Sequence, residues 1–381
     1  MHVKVETGSN RARITSDQFK PIWFESNDSL QTVQADYALW AIAPIAMRFG
    51  GEINCDFVVS EATYHSVKEV VSVWSGWCPE IYCRPNFQMA SSLTPNKKGH
   101  GNLAFFSGGI DATYSAAKMR DSKFQSDCLI VHGLDYNHIQ DSQFNELLQA
   151  THKTRRDSFN KTHIIKTNIY EVYNSIGCNP SDGHVTHIFA LFACASLFAN
   201  YDKYFISSDY RLDQQFIKHP YGSNSATNRL MRNAFGVLKT LDDDVSRGIK
   251  VKFLHDLKID LKSLSICKNK TIRPKNCGKC EKCLRTKVMF YASTGCVPKI
   301  FLDPSIPPKW FKKIKISFLR DIIDISLNEE VSNSLDLRNA SQYLISNTIS
   351  KRNNPLHEFS LKKLFKYLFF NRGVKPIKNK N

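Results

Sequence analysis

The sequence predicts an α/β protein built on a doubly wound parallel sheet, and three observations carry that prediction. From residue 103 onward, short apolar runs free of charge alternate with longer segments of helical period, the pattern of repeated βαβ units. The strand-like runs are almost continuously apolar, as strands covered on both faces are. Polar residues suited to chemistry, namely Ser107, Asp135, Asn168 and Ser208-Asp209, stand directly after these runs. Ligands of open α/β sheets bind outside the carboxyl ends of the strands.

Taken in order, residues 1–95 read as an N-terminal α+β region of short strand-like runs around one strong helix over 35–48. Gly50-Gly51 closes that helix, as glycine closes helices generally. A strand is predicted at 56–60 and a second helix at 62–74, with Trp74 and Trp77 as core. Residues 90–101 are a polar linker bearing Gly and Pro. Strands follow at 103–106, 128–132, 163–167 and 203–207, with helices at 111–119, 142–156 and 184–199. His184 and His187 share the start of the last helix, where packing or capping is their simplest use. After Cys296, Pro304, Pro307 and Pro308 break the chain, and 309–350 reads as mainly helical. The organisation expected is therefore 1–95, a sheet domain over 100–300 with a cysteine segment at 265–286, a helical extension over 301–350, and a tail at 351–381.

Length and charge bound the function. A chain of 381 residues buries a large core in two or three units. The longest apolar stretches, 37–47 (interrupted by Pro44) and 188–199, fall short of the ~18 residues of a membrane span and read as buried helices. No apolar signal segment opens the chain, so a reducing, cytoplasmic setting is expected and disulfides are not the default. The net charge of +17 points to a polyanionic partner such as ATP, nucleic acid or an acidic surface. Residues 351–381 carry nine Lys or Arg against one Glu, hence +8; a solvated tail is the simplest reading. Within it, the amphipathic stretch 359–370 packs on its own domain or docks on an anionic surface.

Ser107-Gly108-Gly109-Ile110-Asp111 breaks the apolar run 103–106 just before a helix. Two glycines let the backbone approach an anion with no Cβ in the way. A helix start offers unpaired N–H groups and the positive end of its dipole, and Ser107 adds a hydroxyl. Asp111 repels phosphate, so a magnesium or amine role suits it better. A plain Ser-Gly-Gly turn fits the same composition. The Walker pattern is absent, which disfavours a P-loop NTPase.

About 160 residues downstream lie Cys267 and the run Cys277-x-x-Cys280-x-x-Cys283. Cys277-Gly278-Lys279-Cys280 is a tight turn able to aim two thiolates at one point, and Cys283 is one turn further. Four thiolates at such spacing suit a structural zinc better than an iron–sulfur cluster. Lys268, Lys270, Arg273, Lys275, Lys279, Lys282, Arg285 and Lys287 offset the charge of a tetrathiolate. Arg285 reads either as a phosphate contact or as a surface arginine, and the loop at His219-Pro220 either as a substrate cover or as a turn.

Ser-Gly-Gly-x-Asp after an apolar strand resembles the PP-loop of the N-type ATP pyrophosphatases. Ser265-Ile266-Cys267 with Asn276-Cys277-Gly278-Lys279-Cys280-Glu281-Lys282-Cys283-Leu284-Arg285 is similar to the zinc segment of the 7-cyano-7-deazaguanine synthase (QueC) group of that superfamily, and the order of the two motifs is the same. The resemblance covers roughly residues 100–296. It implies a HUP-like PP-loop fold and an adenylating enzyme using ATP and Mg2+, with Zn2+ at Cys267, Cys277, Cys280 and Cys283. It places ATP against Ser107, Gly108, Gly109, Ile110, Asp111, Thr113 and Asp135, with Ser107 and Asp111 catalytic, and the acceptor at Ser208, Asp209 and Tyr210. Ala112 stands where the family pattern has Ser, and Arg211-Leu212-Asp213-Gln214-Gln215 replaces the Gly-Tyr-Pro-Asp-Cys run that follows in that group, so the acceptor is not carried over. The rival expectations are tRNA thiolation, and a PP-loop fold that binds nucleic acid or a protein without turnover. No pair of cysteines sits beside the loop to serve thiolation.

Overall fold

Apolar runs separated by Gly, Asn and Asp turns assemble into one ten-stranded sheet. The computed structural model describes residues 1–305 apart from 31, 33, 91, 180–184, 199, 213, 214 and 216–220. The first seven elements are β1 (His2–Thr7), β2 (Arg11–Ser16), β3 (Ile22–Ser26), α1 (Asp36–Phe49), β4 (Glu52–Asp56), α2 (Glu61–Trp77) and β5 (Asn86–Met89). There follow β6 (Asn102–Phe105), α3 (Ile110–Asp121), β7 (Asp127–His132), α4 (Asp141–Ala150), α5 (His152–Ser158), β8 (Thr162–Thr167), α6 (Ile169–Ile176), α7 (Val185–Ala195) and β9 (Lys203–Ser207). The last are α8 (Ser225–Asn228), β10 (Val237–Leu241), α9 (Arg247–Asp256) and α10 (Glu281–Thr294).

The strands lie in the order β10-β9-β6-β7-β8-β3-β2-β1-β4-β5. From β10 to β8 every pairing is parallel. β3 then joins β8 antiparallel, so the N-terminal strands extend the same sheet. β2 pairs antiparallel with β3 and β1, while β1, β4 and β5 run parallel. The cause of the continuously apolar strands is visible in their alternation. Leu103, Phe105, Leu129, Ile165, Tyr204 and Ile206 enter one core cluster, while Ala104, Phe106, Cys128, Ile130 and Phe205 enter another on the opposite face.

The first cluster centres on α1 and α7, the two apolar runs too short for a membrane. All residues of α1 from Asp36 to Met47 are buried, Pro44 included, and Trp40 meets Phe192 edge-on at 5.3 Å. No helix among the described residues is long and apolar enough to cross a membrane. Asp36 is buried, and its carboxylate accepts from the Ser60 amide at 2.8 Å, the Ser60 hydroxyl at 2.8 Å and the Ala234 amide at 2.7 Å. Three donors on one carboxylate satisfy its charge and tie α1 to a segment 198 residues away.

Some predicted elements shift. The strand expected at 56–60 lies at Glu52–Asp56, because that stretch pairs with β1 and β5, while Ser60 caps α2 by accepting from the Thr63 amide. The helix expected over 142–156 breaks at Thr151 into α4 and α5; the Thr151 hydroxyl turns back onto the Leu147 carbonyl at 2.8 Å. Trp77 lies at the surface against buried Trp74 rather than in the core. The helix predicted over 309–350, the stretch 359–370 and the basic tail lie outside the described residues, as do His184, His219 and Pro220.

Gly133 controls how the chain leaves β7. Its φ is +127°, and an added Cβ would lie 1.9 Å from the Thr167 carbonyl oxygen at the end of β8. Gly133→Ala therefore combines strained backbone with overpacking. It is expected to lose about 2–5 kcal/mol of stability by urea denaturation, with the greatest local effect on the loop carrying Asp135.

Candidate functional site

Because β6 lies between β9 and β7, the crossover from β6 to β7 and that from β9 to β10 run in opposite directions. That reversal is a topological switch point, where the loops at the carboxyl ends diverge and leave a crevice. Ser107–Asp111 leaves β6 there, and Ser208-Asp209-Tyr210 leaves β9.

In the first loop Gly108 takes φ +72°, with Leu147 and Thr151 3.0 and 3.2 Å from where a Cβ would stand. Gly109 opens α3 with no side-chain cap, and its amide donates to the Ser107 hydroxyl at 3.4 Å. Ser107 is exposed, whereas Ile110, Asp111 and Thr113 are buried. Ala112 packs in the core with Ala116 and Met119.

The second loop is held from inside. Ser208 is buried, donates its hydroxyl to the Tyr210 carbonyl and accepts from Gln215 Nε2 at 3.2 Å. Tyr221 donates its hydroxyl to Asp209, and Tyr210 meets the Tyr221 ring edge-on at 5.5 Å.

Arg247 joins the two loops. Asp242, beyond β10, accepts from Ser115 at 2.6 Å and Lys118 at 2.7 Å, which lays α9 along α3. Ser246 caps α9 by accepting from the Ile249 amide, so Arg247 starts the helix at the switch point. Its Nε donates to Asp111 Oδ1 at 3.3 Å; its Nη2 donates to Asp111 Oδ2 and, at 2.8 Å, to Asp209 Oδ1. Burial alone would weaken the guanidinium's hold on its proton, but Asp111 and Asp209 reverse this, and Arg247 stays charged well above the usual arginine value. Burial would raise the Asp209 carboxyl, yet Arg247 and the Tyr221 hydroxyl hold it well below the usual carboxylate range. Lys250, fully buried, donates to the Ser208 carbonyl at 2.6 Å and lies 3.6 Å from Asp111.

Asp135 sits at the end of β7. Burial pushes its carboxyl up, and Arg273, 2.9 Å away, more than compensates, keeping it ionised well below the usual range. His187 stands in the field of Asp135 and Asp209, but burial prevails and keeps its imidazole below the ordinary value. Nothing in the local sequence marks Arg247, Lys250 or Arg273 for these positions, since each is held by a partner at least 38 positions away.

The four cysteines converge. The Sγ atoms of Cys267, Cys277, Cys280 and Cys283 all lie within 4.8 Å of one another, with Cys267–Cys280 at 3.8 Å and Cys277–Cys283 at 3.9 Å. Four sulfurs about 2.3 Å from a central ion stand about 3.8 Å apart in a tetrahedron, so the set fits a thiolate-bound metal. Amides aim at it: Lys279 and Cys280 donate to Cys277 Sγ at 3.3 Å, and Lys268 to Cys280 Sγ at 3.4 Å. A hydrogen bond from Cys283 draws the Cys280 thiol down to about 4, and the same contact with burial pushes Cys283 up. Gly278, at φ +74°, is where the turn passes the Asp303 backbone; a Cβ there would lie 2.0 Å from its carbonyl oxygen.

This cysteine lobe clasps the first loop. The Ser265 amide donates to the Gly108 carbonyl at 2.9 Å, and the Ser265 hydroxyl pairs with Tyr136 at 2.9 Å. Asn276 fixes the extended segment 264–266 of the lobe, accepting from the Ile266 amide at 2.9 Å and donating to the Leu264 carbonyl at 2.7 Å. Arg273 spans from Cys267 to Asp135. Arg285 is buried rather than on the surface. A hollow of about 460 Å3 on the β1–β3 strands, lined by Arg11, Arg13 and Trp23 among others, shares no residue with the switch point.

Comparison with protein-family models, curated proteins and solved structures finds no match, so the functional reading rests on the residues themselves.

The lobe yields a direct test. Cys280→Ser removes one of four converging thiolates, and binding energy at such a site is also folding energy. Wild type is expected to hold about one metal ion per chain. The variant should lose most of it and melt at a lower temperature, by elemental analysis and calorimetry. Unchanged metal content would place the ion elsewhere.

Proposed function

We propose that this chain is an ATP-using enzyme of the PP-loop kind, which activates a carboxylate or amide oxygen of an acceptor by adenylation and releases pyrophosphate. One observation carries the reading: an uncapped, glycine-bearing helix start and a charged loop meet at the reversal of strand order between β6 and β9. A helix N-terminus with free amides at a switch point is suited to polyphosphate. ATP would lie with its phosphates against Ser107–Asp111, its Mg2+ arriving with the phosphates, and the acceptor toward Tyr210. The chain supplies position and charge rather than a covalent intermediate: the Ser107 hydroxyl and the first amides of α3 orient the phosphates, while Arg247 and Asp209 fix the two loops. The cysteine lobe is proposed to hold zinc, closed by four protein ligands and therefore structural. A reducing, cytoplasmic setting suits four free thiolates.

The alternative is a fold of this kind that binds a nucleotide, nucleic acid or protein without turnover. The pairing of Asp111 with Arg247 and Lys250 favours it, since that carboxylate is already neutralised.

Gly109 separates these readings from an ordinary turn. A Cβ there meets only the Ser107 hydroxyl at 3.4 Å, and the backbone φ is −77°. Gly109→Val should therefore fold and keep its metal while ATP affinity, by calorimetry, falls at least about tenfold as the valine fills the phosphate side of the loop. Equal affinity in both proteins would remove the cradle. With ATP bound, pyrophosphate released in the presence of an acceptor identifies adenylation; orthophosphate overturns it.

A further inference from the structure

Arg247 is nine-tenths buried, yet it is not fully used. A guanidinium has five N–H donors. The Nε–H and both Nη2 hydrogens are taken by Asp111 and Asp209. The two Nη1 hydrogens have no partner among the described residues, and the side chain keeps 10 % of its surface exposed. The residue therefore presents a fixed, charged double donor at the switch point. It does so beside the first turn of α3, because Asp111 belongs to that turn. Lys250 is no substitute: its ammonium is buried on the Ser208 carbonyl.

We infer that Arg247 is the side chain that receives the ligand's phosphate oxygen, through Nη1, and that Asp111 and Asp209 are positioning residues that hold it for that contact. This rests on the proposed nucleotide reading and gives Asp111 a part different from magnesium ligation. The holding is physical. Two carboxylates on the Nε/Nη2 side fix the plane of the guanidinium, so a phosphate meets a pre-oriented donor that pays little ordering entropy. The ion class is a phosphoryl oxyanion, whether of pyrophosphate, ATP or free phosphate.

The test uses the full chain with its metal. Arg247→Gln alone strands the Asp111 carboxylate beside Lys250, so the informative protein is the double variant Arg247→Gln/Asp111→Asn, compared with Asp111→Asn. Binding of inorganic pyrophosphate, inorganic phosphate and Mg2+·ATP is measured by calorimetry, with metal content and melting temperature as fold controls. Relative to Asp111→Asn, the double variant is expected to bind pyrophosphate and ATP roughly 10- to 100-fold more weakly, the loss of one charge-assisted hydrogen-bond donor. Arg247→Lys, which keeps charge but loses the fork, should fall between. Pyrophosphate should also protect Arg247 of the wild type from phenylglyoxal, which a purely structural arginine would not show. A tighter hold on pyrophosphate than on phosphate assigns a polyphosphate site; the reverse order assigns free phosphate and overturns the nucleotide reading while keeping the Arg247 contact. If wild type binds ATP and the double variant equals Asp111→Asn, the inference falls and the nucleotide reading stands. If wild type binds none of the three, both fall.

Discussion

The parallel pairing of β6 with β9 on one edge and β7 on the other is the constraint from which the site follows. It sends the helical connections after β6 and β9 away from each other, and the loops at their carboxyl ends cannot close over the gap. Ser107 and Asp209 are about a hundred residues apart in the chain and adjacent in space only because β6 and β9 share register, Leu103 facing Tyr204 and Ala104 facing Phe205. Burial on both faces holds that register. Slipping β9 by one residue would exchange Phe205 with Tyr204 and Ile206 between two separate core clusters.

What could be read from the sequence is what short-range pattern dictates. The apolar runs at 103–106, 128–132, 163–167 and 203–207 became β6 to β9 within a residue or so because strands buried on both faces leave little freedom of composition. The four cysteines converge as their spacing implies. The misplacements have local causes. Residues 57–60 are apolar enough for a strand, but Ser60 is spent on capping α2 and binding Asp36, and pairing with β1 favours 52–56. The continuation of the sheet from β8 into β3 was not legible, because an antiparallel join across 140 residues leaves no mark on either segment. Arg247 was invisible for the same reason: nothing in Ser246-Arg247-Gly248 announces two aspartates 136 and 38 positions away.

The cysteine lobe is more than a separate stabilising module. Its sulfurs are held within 4.8 Å of one another by a turn that needs Gly278, and the segment entering that turn delivers the Ser265 amide to the Gly108 carbonyl and brings the Ser263 carbonyl close to the same glycine. Gly108 thus meets both α4–α5 and the lobe. Whatever holds the four thiolates together also holds one wall of the Ser107–Asp111 loop, so energy that orders the lobe orders the loop. Arg273 repeats the link at the neighbouring strand end, joining the Cys267 carbonyl to Asp135. The exposed side of that pair is screened by water and contributes on the order of 1 kcal/mol at most; its value lies in geometry.

The aspartates at the switch point are paired before any ligand arrives. Asp111 and Asp209 face Arg247 and Lys250, two negative groups against two positive ones. Buried charges left unpaired are costly; the aspartates stabilise the buried Arg247 through its Nε and Nη2 while its Nη1 has no partner among the described residues. On the proposed reading this has a further consequence. A free divalent cation approaching Asp111 must displace a guanidinium bound through Nε and Nη2, whereas a cation already attached to phosphate needs no protein carboxylate. The phosphate, in turn, is received by oriented N–H groups of α3 and Arg247 rather than by an excess of positive charge. On that reading the oriented donors select the geometry of a phosphoryl group, and the +17 of the whole chain serves to draw anions toward the protein.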